Sequence, residues 1–594
     1  GIGGRCLHLN NSVPVDYPKV NLVWNGSKGP NSMFTKTNAE RLVAFLAAQG
    51  VNLVFGIPGM HTLPLFEALR GARIRTVLAT HEQGAGFMAG GYSRATGTPG
   101  VLVTVPGPGL TNVLTSLAEC RADSCPLLVV GSTVSTDSGR RFQVHEIAQD
   151  AVATPFVKAL FPVDTAAQLL PQLTAAWRTT TCGEPGPVLL SVPAQLWNGA
   201  TQEDIPPIMP FTQYPPPGPD GFKTVLTALS QAEQVGLVVG QGVFGATDQL
   251  RALAEWLQAP VATTLSGRGA LPEDHPLSLG MGWQPDGITF LNTIFSHCDL
   301  VLAIGLKFAE TGTQSYQLRL PPALIHVDAA PANLGANCAP MATLAMDATT
   351  FLDQLLAHKA EFGPRPAKAL SIQLTAQRMR GVNGNDNATQ EIRYHIGAHS
   401  TDPATFFRAL RATMAADAIL VTDSGYHEIL AARHYRVLAP RTLLTPADYQ
   451  ATGFGIPTAM GAALAQPRRQ VFALVGDGSF VMSGLELLSA VREEVNLGVI
   501  LINDGYYGIL KQLQEERYGT TSSVALHNPD FWTLAAGCDV ALQADRGDLA
   551  ATLAAFVHGQ GVRLLEVKAT YATGDRLGML ARRWRRQVRG WVIG

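Results

Sequence analysis

A glycine-rich segment in the C-terminal part of the chain carries its most specific chemistry. The apolar run 471–475 leads directly into Gly476-Asp477-Gly478, and a second apolar run, 497–502, leads into Asn503. If the two runs are parallel strands joined by a helix, Asp477 and Asn503 meet at the carboxyl edge of one sheet, where glycine lets the backbone approach a phosphate group. Carboxylate and amide oxygens are ligands that Mg²⁺ prefers. The segment therefore indicates a metal–diphosphate site, although a plain Gly-Asp-Gly turn followed by a strand-ending Asn would give the same pattern.

Short apolar runs that alternate with amphipathic helical stretches must position these groups. The runs end in Gly or Pro and recur along the chain, which is typical of parallel α/β layers. We therefore expect an α/β fold with three doubly wound parallel-sheet domains. The expected strands are 53–56, 75–79, 101–105, 127–131 and 187–192 in the first block, 235–239, 260–265, 300–305 and 323–327 in the second, and 418–421, 470–475 and 497–502 in the third.

Composition suggests where the blocks begin and end. Residues 1–33 are rich in Gly, Asn, Pro and Ser, and we expect a non-native or disordered leader there, followed by a first domain at 34–205. A proline-rich connector precedes a second domain at 218–362, and a polar linker at 363–400 precedes a third domain at 401–575. The basic tail 576–594 is expected to be a solvated or subunit-contacting helix, with contact to a polyanion or a membrane surface as the alternative.

Charge and cysteine content exclude several classes of protein. The 594 residues include 44 Lys and Arg against 46 Asp and Glu, a formal net charge of −2, so no global electrostatic attraction to nucleic acid or to anionic membranes exists. Seven cysteines without CxxC spacing indicate neither a zinc site nor a disulfide framework. No apolar run approaches the length needed to cross a bilayer. We expect a cytoplasmic enzyme that acts on small molecules, without nucleic-acid or membrane partners.

Several further motifs occur in the order seen in one enzyme family. They are FGIPG at 55–59, THEQGA at 80–85, GGYSRATG at 90–97, GPGLTN at 107–112, DHPL at 274–277 and GFGIP at 453–457. With Gly476-Asp477-Gly478, this series resembles the thiamine diphosphate-dependent enzymes, and in particular their acetohydroxyacid (acetolactate) synthase branch, over about residues 37–571. The resemblance implies a pyrimidine-binding, a central Rossmann-like and a diphosphate-binding domain. It also implies a homodimer or homotetramer with active sites at the subunit interfaces.

The resemblance implies roles for individual residues. Glu82 would hydrogen-bond the pyrimidine ring of thiamine diphosphate and assist its proton transfers, although a carboxylate there would also stabilise a helix N-terminus by about 0.3–1 kcal/mol. Asp477, Asn503 and Gly505 would bind the Mg²⁺ that holds the diphosphate. The other residues implied to contact the cofactor are Gly425, Tyr426, His427, Gly453, Phe454, Gly476, Gly478, Ser479, Tyr506, Tyr507 and Gly508.

Two side chains of the first block are further candidates for catalysis. His145 and Gln149 lie in a stretch where the resembled family more often has Gln-Glu. A histidine at this place could shuttle protons during the reaction. A loop histidine without a chemical role is the alternative, and the same alternative applies to His427.

A second glycine-rich segment lies in the middle of the chain. Gly240-Gln241-Gly242-Val243-Phe244-Gly245 follows the expected strand 235–239 and precedes a helical stretch at 247–257, as in a dinucleotide-binding turn. The acidic residue expected about 20 positions further on does not occur, so we do not expect NAD. Acetohydroxyacid synthases carry FAD in this domain, whereas several relatives bind no nucleotide, and the resemblance leaves FAD open.

The implied reaction is decarboxylation of a 2-keto acid, followed by carboligation to a second carbonyl compound. Two departures bear on that outcome: Leu513 stands where the synthases have Trp, and Thr452 stands where they usually have a bulkier Met. A simple decarboxylase and a carbon–carbon lyase are therefore alternatives. A catalytically silent structural or regulatory homologue is the alternative from another class.

Overall fold

The computed structural model describes residues 36–137, 139–199, 219–282, 287–362 and 392–571. The expected leader, the proline-rich connector, the first part of the expected linker and the basic tail lie outside these ranges. Among the described helices, none has the length and apolar character needed to cross a membrane.

Three sheets organise the described chain. The N-terminal sheet has six parallel strands in the spatial order Arg75–Leu78, Leu53–Gly56, Gly100–Thr104, Leu127–Thr133, Pro187–Pro193 and Ala159–Pro162. The central sheet has six parallel strands in the order Ala342–Ala345, Leu324–Asp328, Leu300–Ile304, Val235–Val239, Val261–Thr263 and Ser278–Gly280. The C-terminal sheet has eight strands, of which seven lie in the order His399–Thr401, Ile392–Ile396, Val562–Tyr571, Leu497–Asn503, Val471–Gly476, Ile419–Thr422 and Leu443–Leu444, while Ala541–Leu542 pairs beside Val562–Tyr571.

Helices connect the strands and cover the sheets. Those of the N-terminal part are Asn38–Ala48, Leu63–Gly71, Glu82–Thr96, Pro108–Ala122, Gln149–Ala153 and Leu169–Thr181. Those of the central part are Pro219–Gln231, Thr247–Leu257, Gly287–Phe295, Ala348–Ala357 and Lys359–Phe362. Those of the C-terminal part are Pro403–Thr413, Tyr426–His434, Gly455–Ala465, Asp477–Ser483, Glu486–Arg492, Gly508–Tyr518, Phe531–Gly537 and Leu549–His558.

Burial on both faces explains why the sequence forms parallel strands. Every residue of Gly100–Thr104, Val235–Val239 and Leu300–Ile304 is buried, and continuous apolar runs of this kind belong to sheets covered by helices on both sides. The prediction of three parallel α/β layers is confirmed. The C-terminal sheet differs at one edge, where Ile392–Ile396 runs antiparallel to Val562–Tyr571 and to His399–Thr401.

The expected linker at 363–400 is wrong in its last part. The strands Ile392–Ile396 and His399–Thr401 lie within that range and belong to the C-terminal sheet. In the first strand Ile392, Tyr394 and Ile396 are buried while Arg393 is exposed, which is the alternation of a one-sided antiparallel strand. This alternation is visible in the sequence, but it is only five residues long and follows a polar stretch. The long strand Val562–Tyr571 is a further element that our prediction lacks.

Two helices pack the N-terminal part against the C-terminal part. Glu82–Thr96 crosses Gly455–Ala465 so closely that a methyl group added at Gly461 would overlap the Met88 carbonyl oxygen. The Phe87 and Phe454 rings meet edge to face at the crossing, with centroids 5.6 Å apart. One of the crossing helices begins at Glu82, and the other follows the Gly453–Gly455 turn. The crossing therefore fixes the position of Glu82 relative to this turn.

The close crossing predicts a selective effect of a single methyl group. Gly461→Ala is expected to lower the free energy of unfolding by about 1–3 kcal/mol, because the backbone of the facing helix cannot retreat without disturbing its packing. Gly71 ends the helix Leu63–Gly71 and has no atom within 4 Å of an added Cβ, so Gly71→Ala is the matched control. Urea unfolding followed by circular dichroism checks both variants. Equal midpoints for the two variants would contradict the close crossing.

Candidate active site

The carboxylate of Asp477 lies at the carboxyl edge of the C-terminal sheet. Asp477 is the first residue of the helix Asp477–Ser483, directly after the strand Val471–Gly476. Its side chain is buried; Oδ1 accepts from the Gly478 N–H at 3.0 Å and Oδ2 from the Gly505 N–H at 2.7 Å. Burial raises the pKa of this carboxyl group, while these hydrogen bonds lower it. The loops around it thus hold the carboxylate in one orientation.

Asn503 ends the adjacent strand, so the structure brings it beside Asp477. Gly476 and Ile502 are paired in register, which places the two strand ends at the same edge. The Asn503 Nδ2 donates to Glu566 at 2.7 Å, and Glu566 also accepts from the Trp532 indole N–H at 2.8 Å. Because a carboxylate only accepts, this contact identifies the Nδ2 side of the amide and turns Asn503 Oδ1 away from Glu566.

Glycines and His427 form a cradle next to this pair. A Cβ at Gly476 would lie 3.0 Å from the His427 ring, and one at Gly478 would lie 2.6 Å from the Tyr507 ring. His427 is in the first turn of the helix Tyr426–His434 and is 6% exposed, so it is not a surface loop residue. Burial lowers its pKa to about 4, and its Nε2 is buried without a partner among the described residues. Gly425, at φ 155°, also lies against this ring.

Asp423 fixes the turn that carries Gly453 and Phe454. Its Oδ1 accepts from the Gly453 N–H at 3.0 Å, and its Oδ2 accepts from the Gly455 N–H at 2.6 Å. Burial raises the pKa of Asp423 to about 6. Sequence reasoning missed this residue, although the signal was the same as for Asp477: a carboxylate that directly follows a buried strand, here Ile419–Thr422, at the same sheet edge.

The remaining residues implied for the diphosphate end surround the same edge. Ser479 is buried, and its hydroxyl donates to the Ser424 carbonyl oxygen at 3.4 Å. The Tyr506 ring carries the Lys511 ammonium group 3.9 Å from its centroid. Tyr507 N–H donates to the Val524 carbonyl oxygen at 2.9 Å, and Gly508 begins the helix Gly508–Tyr518.

Glu82 lies at the carboxyl edge of the N-terminal sheet. It is the first residue of the helix Glu82–Thr96, and the Asn112 Nδ2 donates to its Oε2 at 2.9 Å. The preceding turn is held by Glu486 of the C-terminal part, a buried carboxylate that accepts from the Thr80 and His81 N–H groups at 3.1–3.2 Å. Neither Asn112 nor Glu486 was predicted, because both partners are distant in sequence.

His145 and Gln149 lie at the same edge, and a second histidine joins them. The His145 backbone is at φ 73° and packs against Gly107 at the start of the helix Pro108–Ala122, which carries Asn112. The rings of His145 and His61 are 5.4 Å apart, and both Nδ1 atoms are buried without a partner within the described ranges. Gln149 is buried, and its Nε2 donates to the Ser132 carbonyl oxygen at 3.1 Å.

Burial disfavours the charged form of His61. The pKa of His61 is lowered, first by burial and then by the neighbouring His145. His61 was missed by sequence reasoning. The FGIPG motif ends two positions before it, and no signal in the sequence joins it to His145.

Together the C-terminal residues fit a magnesium diphosphate. Asp477 and Asn503 supply hard oxygen atoms side by side, the glycines leave room for phosphate, and His427 Nε2 is a buried polar atom that needs a partner. Within the described ranges, no group of three or more His, Cys, Asp or Glu side chains is placed to hold a metal. No hydrogen bond joins the Glu82–Asn112 pair to the Asp477 group within the described part of one chain.

Comparison with known proteins identifies the family. The family model described as "Thiamine pyrophosphate enzyme, N-terminal TPP binding domain" matches residues 36–153, the corresponding central domain matches 222–355, and the C-terminal TPP binding domain matches 423–567. The large subunit of acetolactate synthase isozyme 1 from Escherichia coli is 32% identical over 90% of this chain and 94% of its own length.

The chain belongs to the thiamine pyrophosphate enzyme family. It is therefore a thiamine diphosphate-dependent enzyme, and its N-terminal and C-terminal parts are the thiamine diphosphate-binding domains. Two other relatives are a protein named "Probable 2-ketoarginine decarboxylase" from Pseudomonas aeruginosa, 33% identical over 90% of this chain and 94% of its own, and one named "Probable acetolactate synthase large subunit" from Methanocaldococcus jannaschii, 30% identical over 86% of this chain and 87% of its own.

A pocket of about 570 Å³ lies beside the glycine-rich turn in the central domain of this thiamine pyrophosphate enzyme. Residues of the N-terminal and C-terminal parts, among them Glu184 and Arg441, also line it. Gly240 and Gly242 pack against Gly305 from the neighbouring strand, so this wall is bare backbone. An acidic residue does line the pocket: Asp328, which ends the strand Leu324–Asp328 rather than the strand after the turn. The side-chain carboxylate of Asp328 accepts from the Ala330 N–H and from Asn333.

The two departures from the synthase pattern are both partly accessible. Thr452 precedes the Gly453–Gly455 turn and is half-buried, and Leu513 is half-buried on the helix Gly508–Tyr518. Leu510, on the same helix as Leu513, is 52% exposed. The helix thus presents aliphatic side chains where the synthases have an aromatic one.

A buried carboxyl group next to the cradle predicts a pH-dependent stability. Glu428 is buried and accepts from the Thr445 hydroxyl and, at 3.3 Å, from Gln450. Burial raises its pKa from 4.5 to about 8. The folded enzyme thus keeps a proton that the unfolded chain releases, so this contribution to stability is complete below pH 4.5 and is lost as the pH rises to about 8, by up to ~1.4 kcal/mol per pH unit.

Glu428→Gln removes this titration while keeping similar hydrogen-bonding groups. We expect the variant to match the wild type in unfolding free energy near pH 5 and to be more stable than the wild type at pH 8. Urea unfolding at several pH values measures the difference. Parallel curves for the two proteins across pH 5–8 would show that Glu428 is not the buried acid described here.

Proposed function

We propose that this enzyme uses thiamine diphosphate and Mg²⁺ to decarboxylate a 2-keto acid and to join the remaining acyl unit to a second carbonyl compound. The observation that carries the proposal is the buried Asp477–Asn503 pair beside a glycine cradle, together with the Glu82–Asn112 pair on the other thiamine diphosphate-binding domain. Acetolactate synthases among the relatives support carboligation as the outcome.

The residues divide the work between the two ends of the cofactor. Asp477, Asn503 and the Gly505 carbonyl oxygen would hold Mg²⁺, and His427, Ser479 and the glycines would surround the diphosphate. When bound, thiamine diphosphate supplies a nucleophilic carbon and stores the electron pair left by carbon dioxide. The Asn112 amide donates a hydrogen bond to Oε2 of Glu82. The other carboxylate oxygen, Oε1, would then exchange a proton with the pyrimidine ring.

The two halves of the site call for a second copy of the chain. One half of the site is the Asp477–Asn503 group, and the other is the Glu82–Asn112 pair with the two histidines. Apolar side chains are exposed near each half. The first set is Val481, Met482, Leu485 and Leu488, and the second is Met60, Leu63, Phe142, Val144 and Ile147. Exposed apolar patches of this kind mark interaction surfaces. We therefore propose a homodimer or homotetramer in which the N-terminal face of one subunit covers the C-terminal face of the other and joins Glu82 to the Asp477 group.

The histidine pair favours a second candidate outcome, simple decarboxylation. Two contacting imidazoles with buried Nδ1 atoms can pass a proton, and proton delivery after the loss of carbon dioxide yields an aldehyde. A relative named as a decarboxylase supports this candidate. Product analysis distinguishes the two outcomes.

The central pocket has the size and the glycine-lined wall of a nucleotide site. FAD is the candidate ligand that the resemblance offers, with no bound nucleotide as the alternative. A flavin spectrum of the purified protein would decide for FAD, and a colourless active preparation would decide against it.

Glu82→Gln tests the proposed function directly. We expect turnover to fall by a factor of about 10²–10⁴, because an amide cannot exchange the proton, while thiamine diphosphate still binds. The assay uses thiamine diphosphate and Mg²⁺ with pyruvate, aromatic pyruvates, glyoxylate and 2-ketoarginine, and identifies products by mass. Glu67→Gln is the control. Glu67 is exposed and pairs with Arg70 within the helix Leu63–Gly71, which does not contain Glu82. Full activity of Glu82→Gln on every accepted substrate would contradict the role.

His145→Gln tests which outcome the histidine pair serves. If the pair delivers a proton, the share of aldehyde among the products falls at least tenfold while carbon dioxide release continues. His358→Gln, in the central domain, is the control. An unchanged aldehyde share would remove the pair from the reaction.

A further inference from the structure

Asn528 contacts both side chains of the proposed metal pair. Its Nδ2 donates to Asp477 Oδ2 at 2.7 Å and to Asn503 Oδ1 at 3.1 Å. A single amide thus joins the two strand ends that must present their oxygen atoms to one cation. Asn528 lies outside the strands and glycine motifs that pointed to the site, and neither the sequence patterns nor the resemblance assigned it a role.

Its neighbours fix the orientation of the Asn528 amide. Asp477 only accepts, and Asn503 must present its oxygen because Glu566 takes its Nδ2. The Nδ2 of Asn528 therefore faces the pair. Its Oδ1 is buried without a partner among the described residues. A buried acceptor of this kind needs a donor, and the water molecules that Mg²⁺ retains in proteins are donors.

Backbone pairing carries Asn528 to this place. The Leu526 N–H donates to the Gly505 carbonyl oxygen at 2.8 Å, and the Tyr507 N–H donates to the Val524 carbonyl oxygen at 2.9 Å. The segment 524–528 therefore contacts all three groups proposed to bind the cation: Asp477, Asn503 and the Gly505 carbonyl. The chain just before this segment is held separately. There the side-chain amide of Gln514 makes two hydrogen bonds with the backbone of Ser522, at 2.7 and 3.1 Å.

We propose that Asn528 is a positioning residue of the magnesium site, holding Asp477 and Asn503 with their remaining lone pairs turned to one point. This inference rests on the proposed function, because it takes the Asp477–Asn503 pair as the site of the cation. Of the two Asp477 oxygens, Oδ2 accepts from both Gly505 and Asn528, whereas Oδ1 accepts only from Gly478. The amide thus contacts Oδ2 and leaves Oδ1 with a single backbone donor.

Titration calorimetry of Mg²⁺ into the full chain with saturating thiamine diphosphate tests the proposal. Hydrogen-bond partners of metal ligands typically change affinity by 10–100-fold, so we expect Asn528→Ala to weaken Mg²⁺ binding by a factor of about 10–100. Asn528→Ser keeps one donor and should lie between the wild type and Asn528→Ala. Gln514→Ala is the matched control: it loosens the same segment without touching Asp477 or Asn503, and its Mg²⁺ affinity should stay within about twofold of wild type.

The thermal midpoint without cation separates binding from folding. Without Mg²⁺, we expect Asn528→Ala to unfold at a lower temperature than the wild type, because the buried Asp477 loses one donor. We also expect the variant to lose most of the further stabilisation that Mg²⁺ and thiamine diphosphate give the wild type. Wild-type Mg²⁺ affinity in Asn528→Ala, or an equal loss in Gln514→Ala, would overturn the proposal. Asp477→Asn shows which hypothesis fails: if this variant binds Mg²⁺ like the wild type, the proposed metal site itself is wrong.

Discussion

The rest of the structure depends on one buried carboxylate, that of Asp477, at the end of a parallel strand. Leaving such a group without partners would be costly, so the surroundings must supply donors. The Gly478 N–H of the helix that starts at Asp477, the Gly505 N–H and the Asn528 amide do so. The strand order, the helix that starts at Asp477 and the glycines that let these groups approach are all conditions for this arrangement. Oδ2 accepts two of these three hydrogen bonds and Oδ1 accepts one.

The N-terminal half of the site is held by the C-terminal half of the same chain. Glu486 accepts from the backbone N–H groups just before Glu82, and the glycine-mediated helix crossing prevents the two parts from shifting. Exposed apolar side chains lie close to each half-site in the chain, such as Met482 after Asp477 and Val144 before His145. Each chain then has both halves of a site and needs a second copy to complete either one. That arrangement is our proposal for the assembly, and it explains why the apolar surfaces lie next to the chemical groups.

The sequence predicted the groups whose signal is local. A buried run followed by Gly-Asp-Gly placed Asp477, and the same strand logic placed Asn503 beside it. Glu82 needed the family resemblance, because a carboxylate at a helix N-terminus has a simpler explanation. Asp423, Glu486, Asn528 and His61 were missed. All four contact partners that are distant in the chain, which no local pattern reveals. The hairpin at 392–401 was missed because its alternation is short and its partner strand, Val562–Tyr571, is at the other end of the domain.

We propose that Glu82 of one subunit and Asp477 of another act on the same cofactor, and subunit complementation tests this proposal. Glu82→Gln and Asp477→Asn chains, each inactive alone, are mixed in equal amounts and allowed to exchange subunits. If sites form between subunits, random pairing of the chains restores about a quarter of the wild-type activity, because one site of each mixed dimer then has both native residues. If both residues act within one chain, no mixed pair contains an intact site. Continued inactivity after proven exchange would therefore contradict the account.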